Sequence, residues 1–225
     1  MTDTYVCSTQ RGEEPTLAAL PSSQPNVPSI VVGYQAVIPR WSGSPNNPTI
    51  LRWYLNASTF PDEEEANFAA VALNQAAREW NNVNFGVAVQ QTTNKNEANF
   101  NLIFKKKSHI EGLLAYAFFP GQKPMNIVVM AFGMDLPHRL QLKNTFLHEL
   151  GHVFGLRHEF AIEKEQKGAQ LWSVPNEDSV MAYKPAPQIQ ESDMTGIRTF
   201  YGLQNGHLIG NAPVTYYMPE LVNNS

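Results

Sequence analysis

The chain of 225 residues has a single cysteine, Cys7. One thiol excludes an intramolecular disulfide framework, and with it the thiolate-rich sites that hold structural zinc or iron–sulfur clusters. Long apolar runs are also missing. The longest, Leu113–Phe119 and Ile127–Phe132, fall far short of the ~20 residues a membrane helix needs. Excess positive charge is absent too: 16 Lys and Arg stand against 20 Asp and Glu, a formal net charge of −4. That balance argues against a protein built to coat nucleic acid or an anionic membrane, so neither is expected as a partner. Met1-Thr2-Asp3-Thr4 lacks the basic and then apolar segments of a signal peptide, and no repeat at solenoid spacing is evident. What is present is a 43% hydrophobic chain, the composition and length of one soluble globular domain with a real core.

Residues 1–29, with Pro15, Pro21, Pro25 and Pro28, read as an extended arm. Ile50–Leu55 is rich in aromatic and branched residues and is expected to be a strand. Pro61 and the carboxylates of Asp62, Glu63, Glu64 and Glu65 suit a helix start. Phe68, Val71, Ala72, Leu73, Ala76 and Trp80 then recur at helical spacing and are expected to cover the core. Alternation at Phe85, Val87 and Val89 and at Phe100, Leu102 and Phe104 predicts two strands. Leu113–Phe119 and Asn126–Phe132 are continuous apolar strand candidates flanking the Pro120-Gly121 turn, and Lys105-Lys106-Lys107 reads as a solvated strand end. A second helix is expected over Arg139–Phe154, with Leu140, Leu142, Phe146, Leu147, Leu150, Val153 and Phe154 as its apolar set and Gly155 as the left-handed residue that stops it. A polar stretch over 159–178 precedes a short helix from Ser192 as N-cap to Gly202, and 203–225 read as a polar tail. This order predicts an α+β fold, a mixed sheet backed by two long helices.

The chemistry concentrates in His148-Glu149-Leu150-Gly151-His152-Val153-Phe154-Gly155-Leu156-Arg157-His158. His148 and His152 are one helical turn apart, so one metal ion can bridge their imidazoles. Glu149 lies roughly 100° round the helix, offset from a ligand position yet close enough to reach a water on the metal. A turn at Gly155 lets His158 approach from the other side. Three imidazoles with one exchangeable position form the catalytic pattern for zinc, and one Zn(2+) per chain is expected. The ion lowers the pKa of its water towards ~7 and polarises a carbonyl, while Glu149 serves as general base and then acid. Five fixed positions at about one in twenty each, over this length, give roughly one chance match in fifteen thousand. His109, His138 and His207 have no such spacing and read as ordinary residues.

His148 to His158 matches H-E-x-x-H-x-x-G-x-x-H in every specified position, and the chain thereby resembles the metzincin zinc metallopeptidases. The resemblance implies a zincin fold: a twisted mixed sheet of about five strands, two long helices, a short C-terminal helix, and an active-site cleft across the middle. Ser179-Val180-Met181-Ala182-Tyr183 is similar to the family's Met-turn, which implies Met181 as a hydrophobic floor beneath the zinc. Tyr183 is similar to the tyrosine that astacins and serralysins place near the metal, where it can bind zinc at rest and stabilise the oxyanion during turnover. Leu114 to Gly121 resembles the matrixin edge strand, so Leu114, Ala115 and Tyr116 are implied as substrate-binding residues pairing with an extended peptide. Ser192 to Gly202 resembles the matrixin C-terminal helix. Tyr116 stands where matrixins have a ligand of a second, structural zinc, and the segment after Pro120-Gly121 lacks their acidic calcium ligands, so a second metal is not expected.

These likenesses divide the chain into an arm or pro-segment over 1–29, a catalytic domain over 30–203 and a tail over 204–225. They imply a secreted, monomeric zinc endopeptidase acting on proteins or extended peptides. A latent or non-catalytic binding module on the same fold is the alternative. A hydrolase of small amides fits the edge-strand segment less well. Cys7, flanked by Val6 and Ser8, lacks the Arg-Cys-Gly context of a matrixin latency switch; a plain free cysteine is the simpler reading, and a zinc-capping thiolate the other.

Overall fold

A computed structural model of the protein describes residues 30–33, 36–161, 170–171 and 176–222. Cys7, with the rest of the arm, and part of the polar stretch over 159–178 lie outside these residues.

The fold is α+β. Its main sheet has five strands: β3 (Thr49–Leu55), β4 (Val87–Thr92), β5 (Phe100–Lys105), β6 (Ala115–Tyr116) and β7 (Asn126–Met130). Their order is β4-β3-β5-β7-β6, parallel except for β6, which runs antiparallel to β7 at one edge. Of the apolar run Leu113–Phe119, only Ala115 and Tyr116 form a strand, and the run after Asn126 leaves the sheet at Met130 to enter the short helix α2 (Ala131–Met134).

Helix α1 (Glu63–Val83) starts at Asp62, whose side chain accepts from the Glu65 N–H at 2.8 Å, and ends at Asn84 in the left-handed region. Its buried face is rotated from the expected one at two residues. Phe68 and Val71 face outward, Phe68 beneath the Arg139 guanidinium at 4.2 Å, while Ala72, Leu73, Ala76 and Trp80 are buried as expected and Ala66, Ala69 and Ala77 join them. Alanines bring α1 close to α3 (Leu142–Val153), whereas a Phe there would hold the two apart. Helix α3 is shorter than expected because a 3-10 turn occupies His138–Gln141, leaving Leu140 exposed. Three buried donors grip its backbone: Trp80 Nε1 on the Leu147 carbonyl at 2.9 Å, Trp41 Nε1 on Val153 at 2.7 Å, and the Tyr201 hydroxyl on Phe154 at 3.0 Å. Trp80, Phe85, Phe154 and Tyr201 meet edge to face around them.

Sheet side chains alternate as the pleat requires. Leu51, Trp53, Phe100, Leu102, Ile127 and Val129 belong to the large core with the helices. Val128 and Met130 face the other way, where Leu113, Ile103, Ile110 and Tyr116 form a smaller cluster. Helix α4 (Glu191–Gly202) begins one residue before Ser192, capped by a reciprocal pair between Gln190 and Asp193. No helix among the described residues is long and apolar enough to cross a membrane.

Strand β1 (Val31–Val32) pairs antiparallel with β8 (Gln170–Leu171). Beyond α4, the residues expected to be a tail form structure. Strands β9 (Leu208–Ile209) and β10 (Ala212–Tyr217) make a hairpin, and β10 runs parallel to β2 (Ile38–Trp41), giving a second sheet in the order β2-β10-β9. Arg40 of β2 is buried between the rings of Tyr201 and Tyr216, at 4.7 and 4.0 Å from their centroids. The chain then crosses to the main sheet: the Tyr217 ring covers Gly121, Glu220 pairs with Lys123 at 2.7 Å, and the Val222 N–H donates to Ala98 at 2.8 Å.

A chain ending at Leu203 exposes the core partners of Ile209 and Val214, each worth about 1.5–3 kcal/mol when fully buried. Such a truncation is expected to lose several kcal/mol in urea unfolding. An unchanged midpoint contradicts the role given to β10.

Candidate metal centre

Helix α3 carries His148, Glu149 and His152, all fully buried. It ends in a Schellman motif: the Leu156 N–H bonds to the Gly151 carbonyl at 2.9 Å, and the Gly155 N–H to His152 at 2.8 Å. Gly155 has φ 95°, and a Cβ on it would run into the Pro39 carbonyl, so both conformation and space require glycine. The reversed chain is then tied to β1, with the Arg157 N–H donating to Val31 at 2.7 Å and its Nη1 to Gly33 at 3.0 Å. This path brings back His158. Ligand atoms of His148, His152 and His158 lie within 4.8 Å of one another, and the three rings stand 4.8–5.1 Å apart.

The donor set fits a metal ion. Nδ1 of His148 meets the Val180 carbonyl and Nδ1 of His152 the Leu156 carbonyl, each at 2.8 Å. A carbonyl can only accept, so both Nδ1 atoms carry the proton and each neutral ring keeps its lone pair on Nε2. Among the described residues the buried Nε2 atoms of His148 and His158 meet no hydrogen-bond partner, while each ring packs against its neighbours. Burial is the main cause that holds the His152 pKa well below its ordinary 6.5, and positive charge on His158 or His148 would push it lower. The ring is therefore neutral at physiological pH, the form that binds metal. The nature of the metal rests on chemistry: three imidazoles suit zinc among several transition ions.

The turn carrying Met181 lies directly against this helix. A Cβ at Gly151 would collide with Met181 Sδ, so the glycine inside the motif admits the methionine to the helix surface. The Tyr183 ring lies 4.6 Å from that of His158. Phe119 packs edge-on to His152 at 5.6 Å. Ala115 and Tyr116 sit on edge strand β6, with Leu114 just before it. Cys7 lies outside the described residues.

Two buried carboxylates outside the motif hold the surroundings. Glu159 accepts from the Asn176 N–H at 2.8 Å, and its own N–H donates to Met181 at 3.0 Å. Asp193 on α4 accepts from the Ser179 hydroxyl at 2.6 Å, the Val180 N–H at 2.9 Å and the Gln190 N–H at 2.8 Å. Burial pushes its carboxyl pKa up, against the pull of these three donors. Val180 thus connects Asp193, through its N–H, to His148, through its carbonyl. Sequence reasoning missed Asp193; its one local signal was the acidic residue three places after Gln190, a capping-box spacing.

No protein-family model matches the chain, and no curated protein matches it.

Because the folded state keeps His152 neutral, while an unfolded chain titrates near 6.5, the stability it contributes is complete above about pH 6.5 and lost as pH falls below. Thermal melts of metal-free protein between about pH 8 and pH 5 should show midpoints dropping on the acid side, less steeply in His152→Gln. Asp193→Asn turns amide hydrogens towards backbone donors and is expected to cost about 1–3 kcal/mol in urea unfolding; a neutral substitution would remove Asp193 from the account.

Proposed function

We propose that the chain is a zinc-dependent endopeptidase of the metzincin type, hydrolysing peptide bonds in proteins or extended peptides. The observation that carries this reading is the convergence of three buried imidazoles, two of them fixed in the metal-binding tautomer, beside the buried carboxylate of Glu149. The metzincin resemblance of His148 to His158 and of the turn at Met181 supports the same conclusion.

In this reading His148, His152 and His158 hold the ion, which when bound supplies Lewis acidity, polarising a substrate carbonyl and acidifying a water. Glu149 takes a proton from the attacking water and passes it to the leaving amine nitrogen as the peptide C–N bond breaks. Tyr183 donates its hydroxyl to the developing oxyanion. Met181 packs against Gly151 and keeps the floor of the site apolar. Leu114, Ala115 and Tyr116 align an extended peptide as a further strand on the sheet edge. Ala115 is suited to this, because Leu114 accepts from Met130 at 2.9 Å and the strand alternation turns the Ala115 N–H and C=O away from β7.

Cleavage of casein is expected to be lost with phenanthroline and restored by added zinc. Glu149→Gln should keep one equivalent of zinc and lose cleavage by at least about a hundredfold, the lower end for a general base. Retained cleavage in that variant refutes the assigned base, and a zinc-loaded wild type that cuts nothing favours the binding-module alternative.

A further inference from the structure

The reading above uses the open edge of β6 but not the sheet face to which the Tyr116 side chain turns. A groove of about 440 Å³ runs there between β5, β6 and the turn before β7, lined among others by Ile103, Lys105, Tyr116, Gln122, Lys123 and Asn126. It has two ammonium groups and no carboxylate in its lining, in a chain whose net charge is −4. Lys123 is partly neutralised by Glu220, which reaches it at 2.7 Å from outside the groove. Lys105 has no such partner: among the described residues its Nζ meets no carboxylate and donates to the Tyr116 hydroxyl at 2.8 Å. An ammonium has three donors, so two remain, and the Tyr116 hydroxyl, having accepted, has its own proton to give. Both groups can take a further acceptor, and a charged one suits them best.

The pairing geometry determines what reaches this point. On β6 the backbone groups of Ala115 face the sheet edge, and Tyr116 presents its side chain to the face away from the helices. A peptide paired along that edge has alternate side chains on the same face, so the residue opposite Tyr116 points to the mouth of the groove. We infer that Lys105 and Tyr116 together form a subsite selecting an acidic side chain, glutamate above all for its reach, at the substrate position opposite Tyr116. This rests on the endopeptidase reading and adds a substrate class to it. Lys105-Lys106-Lys107 is then more than a solvated strand end, because its first residue turns across β7 towards the edge strand.

The test is a set of peptides in which each position on the N-terminal side of the scissile bond is in turn Glu or its neutral isostere Gln. At one position the zinc-loaded wild type should favour Glu by roughly two- to fivefold in kcat/KM, mostly through KM, the size an exposed ion pair gives. The ratio should fall towards one at about 1 M salt, where the screening length is about 3 Å. In Lys105→Glu the Glu/Gln ratio should fall below one, and Tyr116→Phe should lower it while leaving the charge in place. Peptides cleaved with the same Glu/Gln ratios by wild type and Lys105→Glu overturn this inference alone. If the wild type cleaves none of them, the endopeptidase reading fails and takes the subsite with it.

Discussion

The break in α3 at Gly155 is the constraint on which the rest of the site depends. Two histidines one turn apart on a helix define a line, and a third donor must come from chain that has left the helix and turned back. Only a left-handed residue makes that turn so tightly, and the Pro39 carbonyl leaves no room there for a side chain. The same turn delivers the Leu156 carbonyl to His152 Nδ1, so one backbone event brings the third imidazole and orients the second. The indole and phenol donors of Trp41, Trp80 and Tyr201 tie the middle and the end of this helix to three separate elements.

Around the imidazoles, hydrogen bonds run outward through main chain. Asp193 holds Val180, and Val180 holds His148; Glu159 holds Met181 on one side and Asn176 on the other. Buried carboxylates are costly unless their oxygens are satisfied; here the Ser179 hydroxyl and the Val180 and Gln190 N–H groups bond to Asp193, and the Asn176 N–H bonds to Glu159. Gly151 performs the complementary steric task, because any larger residue would push the methionine turn off the helix. These contacts keep the imidazoles buried and aimed inward, and burial holds His152 in the neutral form that can grip a divalent ion.

The site was legible in the sequence because its parts are local. His148, Glu149, His152, Gly155 and His158 fall within eleven consecutive residues, and helical geometry alone relates most of them. Asp193 was not legible, since its partners at Ser179 and Val180 meet it only through the packing of α4. The sheet and its two main helices followed from periodicity, yet α1 offered two apolar stripes. Ala72, Leu73, Ala76 and Trp80 were read correctly, but Phe68 and Val71 pulled the expected face to one side, because close helix packing rewarded Ala66, Ala69 and Ala77 instead. The strands beyond Leu203 escaped notice for another reason: β10 pairs with β2 across more than 170 residues of sequence, as at Val214 and Ile38, and nothing local announces so distant a partner.

The account stands most directly on what surrounds a bound ion. Protein equilibrated with one equivalent of zinc should give an X-ray absorption spectrum with three imidazole nitrogens at about 2.0–2.1 Å and one exchangeable oxygen donor. His158→Ala should remove one of the three nitrogens. A spectrum of solvent oxygens alone, or one unaltered by that substitution, would contradict the central claim that these three histidines form a single metal site.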